Sequence, residues 1–239
     1  MNLTAIRRRT ASAAAVVAVP AVIAVLALVN PGFPLARVDL NDGGVWLTAT
    51  SSLQVGRFNA QVEELNAGLV TAGTTFDVLQ DAGDVLLVEP GTVSVVDPAS
   101  VTLTTRAPVH TGAVTRMGAG TVAVLDPDGS AWVRSLSDLG ALRVGSDVPE
   151  LALGEGGTVA VSRAGVTLGV AGDTGDVTRV DLVGGQPHAE QLGTLGAGVE
   201  QLTTVGDEPV GLTGSTLRTL HGSVELDGCL LYTSPSPRD

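Results

Sequence analysis

One phrase recurs along this chain and limits what it can become. Thr92-Val93-Ser94-Val95-Val96, Thr121-Val122-Ala123-Val124-Leu125 and Thr158-Val159-Ala160-Val161-Ser162 are versions of Thr-Val-x-Val-x, and Pro209-Val210-Gly211-Leu212 is a weaker copy. A further copy lies at Gly44-Val45-Trp46-Leu47-Thr48. Each is led in by glycine or proline, as at Pro90-Gly91, Gly118-Ala119-Gly120 and Gly156-Gly157. Each closes on a turn such as Asp97-Pro98, Asp126-Pro127-Asp128-Gly129 or Arg163-Ala164-Gly165. Short runs of β-branched residues between Gly, Pro and Asp are strands and turns. A second strand is expected after each turn, at 101–105, 131–135, 166–170 and 216–220. Only residues 58–69 leave room for a turn or two of helix, bounded by Gly68 and Gly73.

One such hairpin cannot bury both of its faces. Arranging several radially covers the faces and leaves only short edges exposed. The Thr-Val phrases begin at Thr92, Thr121 and Thr158, with Pro209 after them. These spacings scatter around the roughly forty residues of a four-stranded blade. The expected fold for residues 38–228 is therefore all-β, a β-propeller-like array of short antiparallel blades. Four or five blades fit in that length, fewer than the six to eight common in propellers, so the array is expected to be incomplete. A β-sandwich is the alternative, because it also strings short strands closely.

The amino end differs in character. Arg7, Arg8 and Arg9 precede residues 11–29, a run without charge interrupted only by Ser12 and Pro20. About twenty apolar residues cross a bilayer as a helix, and arginines before the run keep that end in the cytoplasm. A cleaved secretion signal has a shorter core and small residues at its cleavage site. Asn30-Pro31-Gly32-Phe33-Pro34 follows here, without Ala-x-Ala. The expectation is a cytoplasmic basic end at 1–10, an uncleaved transmembrane signal anchor at 11–29, a linker at 30–37 and an extracellular domain at 38–228. A twin-arginine signal fits less well, since Thr10 and Ala11 are not bulky.

The last eleven residues, 229–239, hold the only Cys and the only Tyr. They match, residue for residue, one reading frame of a transposase-type sequencing adapter. They are expected to be an adapter-derived artefact and not part of the fold. The domain at 38–228 is then expected to be truncated.

Charge narrows the function classes. Residues 38–228 carry eight Arg and no Lys against 24 acids, leaving −16. Nucleic-acid binding needs clustered positive charge, so no nucleic-acid partner is expected. Schiff-base chemistry and a phosphate loop both need Lys.

No motif supplies a catalytic, cofactor-binding or metal site. Asp126, Asp128 and Ser130 alternate as calcium ligands do, but a β-turn explains the same residues. Asp173-Thr174-Gly175-Asp176 reads the same way. His110, His188 and His221 lie far apart beside turn residues, without metal-ligand spacing. Gly118-Ala119-Gly120-Thr121-Val122-Ala123 matches a GxGxxA fragment, but it opens a strand and not the helix a dinucleotide site requires. Trp46 and Trp132 are expected to pack between blades and not to serve as sugar platforms.

Taken together, Arg7 to Arg9, the anchor, and Val38-Asp39-Leu40-Asn41-Asp42-Gly43-Gly44-Val45-Trp46-Leu47-Thr48 make the chain resemble the amino-terminal part of large single-pass surface proteins of high-GC Gram-positive bacteria. The resemblance implies a propeller-like region followed by Ig-like or fibronectin type III repeats, and no catalytic residue maps from it onto this segment. The function expected is a membrane-anchored, cell-surface β-repeat module without catalysis, meeting the membrane through residues 11–29 and a protein or cell-wall ligand through its body. The alternative is the amino-terminal part of a fibronectin type III-containing exoprotein associated with polysaccharide degradation.

Overall fold

A computed structural model describes residues 44–226. They belong to the second of two compact units, which begins at residue 40. The expected basic end, anchor, linker and adapter-derived tail lie outside the described residues. Among the described residues no helix is long and apolar enough to cross a membrane.

Among the described residues nineteen strands form five separate sheets, every pairing antiparallel and sequential. The first sheet holds β1 (Gly44–Ala49), β2 (Gln54–Asn59) and β3 (Glu64–Val70). The second holds β4 (Asp77–Asp81), β5 (Asp84–Glu89), β6 (Thr92–Asp97) and β7 (Thr102–Pro108). The third holds β8 (Val114–Gly118), β9 (Thr121–Leu125), β10 (Ser130–Ser135) and β11 (Leu151–Ala152). The fourth holds β12 (Thr158–Val161), β13 (Thr167–Val170), β14 (Asp176–Val183) and β15 (Gln186–Thr194). The fifth holds β16 (Gln201–Val205), β17 (Glu208–Thr213), β18 (Thr216–Thr219) and β19 (Gly222–Glu225). Five small meanders are not the two packed sheets of a sandwich, so that alternative does not describe this chain. The helical turn allowed for at 58–69 is a hairpin instead. The Asn59 side chain accepts from the Gln61 N–H at 2.9 Å, and Glu63 takes a left-handed φ of 55°, which returns the chain as β3.

Side-chain alternation explains why the sheets stack. Successive residues of a strand face opposite sides. In the second sheet Val85, Leu87 and Val96 face the first sheet and cluster with Trp46 and Val55. Leu86 and Val93 face the third sheet, with Val122, Val124 and Trp132. On the other side of the third sheet, Ala123, Leu125, Ala131 and Val133 join Val159 and Val180 of the fourth. Val170 and Val177 face the fifth sheet, with Leu195 and Val199. Each junction between neighbouring sheets thus has its own apolar core, and β4, β8, β12 and β16 lie side by side along the array.

One backbone bond repeats in all five sheets and numbers their strands. The N–H of the residue after the last strand donates to the carbonyl of the residue before the third. The pairs are Val109 to Gly91, Leu153 to Gly129, Leu195 to Gly175 and Leu226 to Ser215, at 2.8–3.1 Å. In the first sheet Thr71 donates to Leu53 at 2.8 Å. Its β1, β2 and β3 therefore occupy the second, third and fourth places of the repeat.

Candidate functional site

The most pronounced polar feature lies where the second and third sheets meet. His110 follows β7 in the connection to β8. Its Nδ1 hydrogen-bonds to Oδ2 of Asp126, at the start of the β9–β10 turn. Asp126 is 6% exposed, whereas the His110 side chain is 59% exposed. The backbone fixes Asp126 independently: its N–H donates to the Ser130 carbonyl at 2.8 Å, and its carbonyl accepts from Gly129 at 3.0 Å. Its second carboxylate oxygen, Oδ1, is buried without a partner. A carboxylate that accepts from Nδ1–H orients the ring and leaves Nε2 as an acceptor.

His110 also borders a cavity of about 400 Å³. Phe76, Val88, Val109 and Ala113 give it apolar walls, and Asp77 and Glu89 contribute carboxylates. Both acids also serve the local backbone. Asp77 accepts from Val78 N–H at 2.8 Å, and Glu89 accepts from Ala72 N–H at 3.0 Å. An imidazole held by a carboxylate is the arrangement of a general base, but a base needs a nucleophile or substrate donor within reach. The Thr75 and Thr111 hydroxyls border the same cavity, yet neither is hydrogen-bonded to the ring. A second cavity, about 440 Å³, lies against β8, β12 and β16 and is bordered by Arg116, Thr158 and Glu200.

The residues singled out in the sequence fall as follows. Asp126 and Asp128 do not converge as cation ligands. Asp128 Oδ1 accepts from Ser130 N–H at 2.8 Å and closes the turn, while Asp126 turns to His110. Among the described residues no group of three or more His, Cys, Asp or Glu could hold a metal ion. Thr174 and Gly175 form a turn in which Gly175 N–H donates to Ala171 at 2.9 Å. His188 sits exposed on β15 and His221 on an exposed turn. Gly118 to Thr121 connect β8 to β9, so a strand follows the glycines. Both Trp residues are buried between sheets, and Trp132 Nε1 donates to the Asp147 carbonyl at 3.1 Å.

The His110–Asp126 pair was not legible in the sequence. Sixteen residues and two strands separate the partners, and β9 brings them together by returning antiparallel to β8, which sets Leu125 opposite Val114 and Asp126 near the connection that carries His110.

The fold defines an all-β, β-propeller-like repeat protein. No family model and no curated protein matches the chain. Several solved structures share its fold. Dihydro-heme d1 dehydrogenase NirN, solved in complex with DHE, aligns with a TM-score of 0.60 at 13% identity, over 83% of this chain and 44% of that one. Hsv2 of Kluyveromyces lactis aligns at 0.56 and 12% identity, over 77% and 57%. A chain of the mitotic checkpoint complex aligns at 0.51 and 13%, over 78% and 63%. The chain thus spans between two fifths and two thirds of the length of these structures. At such identities the likeness speaks for the fold alone.

Proposed function

We propose that this chain is a membrane-anchored, extracellular β-repeat module that works as a surface interaction platform and not as an enzyme. Residues 11–29 would hold it in the membrane with the amino end in the cytoplasm, and the repeat body would meet a protein or cell-wall ligand. One observation supports the contact role: the chain is a β-propeller-like array of short antiparallel sheets, an architecture whose successive sheets and turns present an extended surface to a partner.

The topology is tested by fusing a reporter after Leu35. An enzyme active only outside the cell should report there, and activity only in the cytoplasm would overturn the orientation. The contact role is tested separately, by pull-down of the purified protein on isolated cell wall and on surface-protein extracts. Retention on neither would count against the platform reading.

A further inference from the structure

We propose that the cavity beside His110 binds a small organic amine, an ammonium group carried on an aryl or alkyl body. Such a site is independent of the surface contact role and of membrane topology.

The cavity lies inside the array and not at its ends. Three segments surround it: the start of β4 at Phe76 and Asp77, the β5–β6 turn at Glu89 to Gly91, and the β7–β8 connection from Val109 to Ala113. The described residues begin at Gly44, whose carbonyl accepts from Gln80 Nε2 at 2.9 Å, near the opposite end of β4. Three strand residues, about 10 Å, separate Gln80 from Asp77. The described residues end at Leu226, held to Ser215 of the fifth sheet. The sheets on either side of the second, the first and the third, are both in place.

Its walls are fixed by bonds within the fold. Val109 N–H donates to the Gly91 carbonyl at 3.1 Å, and Ala113 N–H to the His110 carbonyl at 3.1 Å. Glu89 Oε1 holds Ala72 N–H at 3.0 Å, which ties in the connection that leads to Phe76. Asp126 holds the His110 ring at Nδ1, and Gly145 lies beside Cε1 and Nε2 without a side chain to cover them. A site formed in advance spares a ligand the entropy of ordering loops.

The lining selects the ligand. Phe76, Val88, Val109 and Ala113 are half-buried and apolar. Asp77 Oδ1 and Glu89 Oε1 each serve a backbone N–H, which leaves the second oxygen of each carboxylate for a ligand. His110 Nε2 is a third acceptor, left by the bond to Asp126. No Arg lines the cavity, and the chain has no Lys. An ammonium group brings a positive charge and donors only, so it matches this set, whereas a carboxylate or phosphate would meet like charge. The Phe76 ring adds attraction for an organic cation. A metal ion is not the match, because among the described residues no three of His, Cys, Asp and Glu gather to hold one. The volume of about 400 Å³ takes a body of about eight to twelve non-hydrogen atoms. An amine of that size should bind with a Kd on the order of 1 mM.

The test titrates the full chain, in nonionic detergent near neutral pH, with 2-phenylethylamine and in parallel with 2-phenylethanol and 3-phenylpropionate. Backbone amides are followed by NMR. The amine should shift Gly91, Val109, Gly112 and Ala113 saturably, with a Kd on the order of 1 mM. The alcohol should bind at least about fivefold more weakly, and the carboxylate should leave these amides unmoved. Glu89→Gln and Asp77→Asn keep the oxygen that accepts from the backbone. Each should weaken amine binding about two- to fivefold and leave the rest of the spectrum in place. His110→Ala should weaken it similarly, through loss of the third acceptor. Cavity amides that do not respond up to about 20 mM amine would overturn the proposal. So would an alcohol or carboxylate bound as tightly as the amine, or carboxylate variants that bind the amine as the unsubstituted chain does. The pull-down and the reporter fusion read neither the cavity nor its charge, so their failure leaves this result standing.

Discussion

Asp126 is the residue whose surroundings ask most of it. A carboxylate buried to this degree is costly unless it is paired, and among the described residues its side-chain partner is His110. Removing the partner of a buried pair costs several kcal/mol when both members are enclosed. His110 is more than half exposed, so His110→Ala should cost less, about 1–2 kcal/mol, read from urea denaturation. Asp126→Asn keeps the turn, whose bonds are made by the Asp126 backbone, and should leave the strand content by circular dichroism unchanged. Asp97 shows a different case, a half-exposed acid held by local donors. Its carboxyl accepts from the Ser100 hydroxyl at 2.7 Å and from Ala99 N–H at 2.9 Å. These bonds, the Ser100 hydroxyl first, hold its pKa below the ordinary 3.8. Because the folded value is the lower one, the contribution to stability is complete above the unfolded value and fades as pH falls through the folded value. A carboxyl-detected NMR titration should place the Asp97 midpoint below 3.8, and Ser100→Ala should move it upward.

At the scale of the element, the residue before the third strand is the controlling position. Gly91, Gly129 and Gly175 hold it with φ of 84°, 85° and 74°, and each carbonyl closes its sheet onto the residue after the fourth strand. Left-handed φ favours glycine, and at Gly129 space forbids anything larger. A Cβ there would lie 2.0 Å from the Gly154 carbonyl oxygen. Gly129→Ala should therefore destabilise by about 2–4 kcal/mol, combining backbone strain with a displaced neighbouring loop. Gly91→Ala, whose Cβ would meet only the Val109 carbonyl at 3.8 Å, should cost about 1–2 kcal/mol. Comparing the two denaturant midpoints checks the ranking.

This position also shows what the sequence could reveal. Pro90-Gly91, Asp128-Gly129 and Thr174-Gly175 announce their turns through residue chemistry. Leu53 does the same work at φ 54° and announces nothing. The Thr-Val-x-Val phrase located strands correctly but misplaced the repeat. Thr92 opens a third strand, Thr121 a second and Thr158 a first. A half-buried strand reads alike in any place of a blade, so the phrase spacings are not the blade spacings. First strands begin at 77, 114, 158 and 201, which is 37, 44 and 43 residues apart. The third sheet reaches its fourth strand only after a long connection, pinned by Arg134 to Glu150 at 2.6 Å and by Trp132 to the Asp147 carbonyl. Tertiary pairing of that kind has no local signal, and neither does the pairing of His110 with Asp126.

For the molecule as a whole, stacked sheets and surplus negative charge act against each other. An array in which each sheet touches its neighbours gains stability from sheet interiors and junctions, so the ends hold less than the middle. Strand β19 is exposed along its length, whereas every residue of β9 and β13 is buried. Amide exchange should be slowest in the third and fourth sheets and fastest in β18 and β19. Residues 38–228 carry −16 on a body of five sheets, with few cations to intersperse. Ion pairs such as Arg134 with Glu150 and Asp147, and Arg179 with Asp181, neutralise acids locally, but eight arginines leave most of the surplus of 24 acids unopposed. Self-repulsion of a compact charged body destabilises it relative to the expanded chain, and salt screens repulsion over about 10 Å at 0.1 M and about 3 Å at 1 M. Raising NaCl from about 0.05 M to about 0.5 M should therefore raise the melting temperature by a few degrees. The attractive pairs lose strength under the same screening, so the sign of the shift reports which set dominates. A melting temperature that fell with salt would mean that the few arginines, and not the many acids, set the electrostatic balance of the fold.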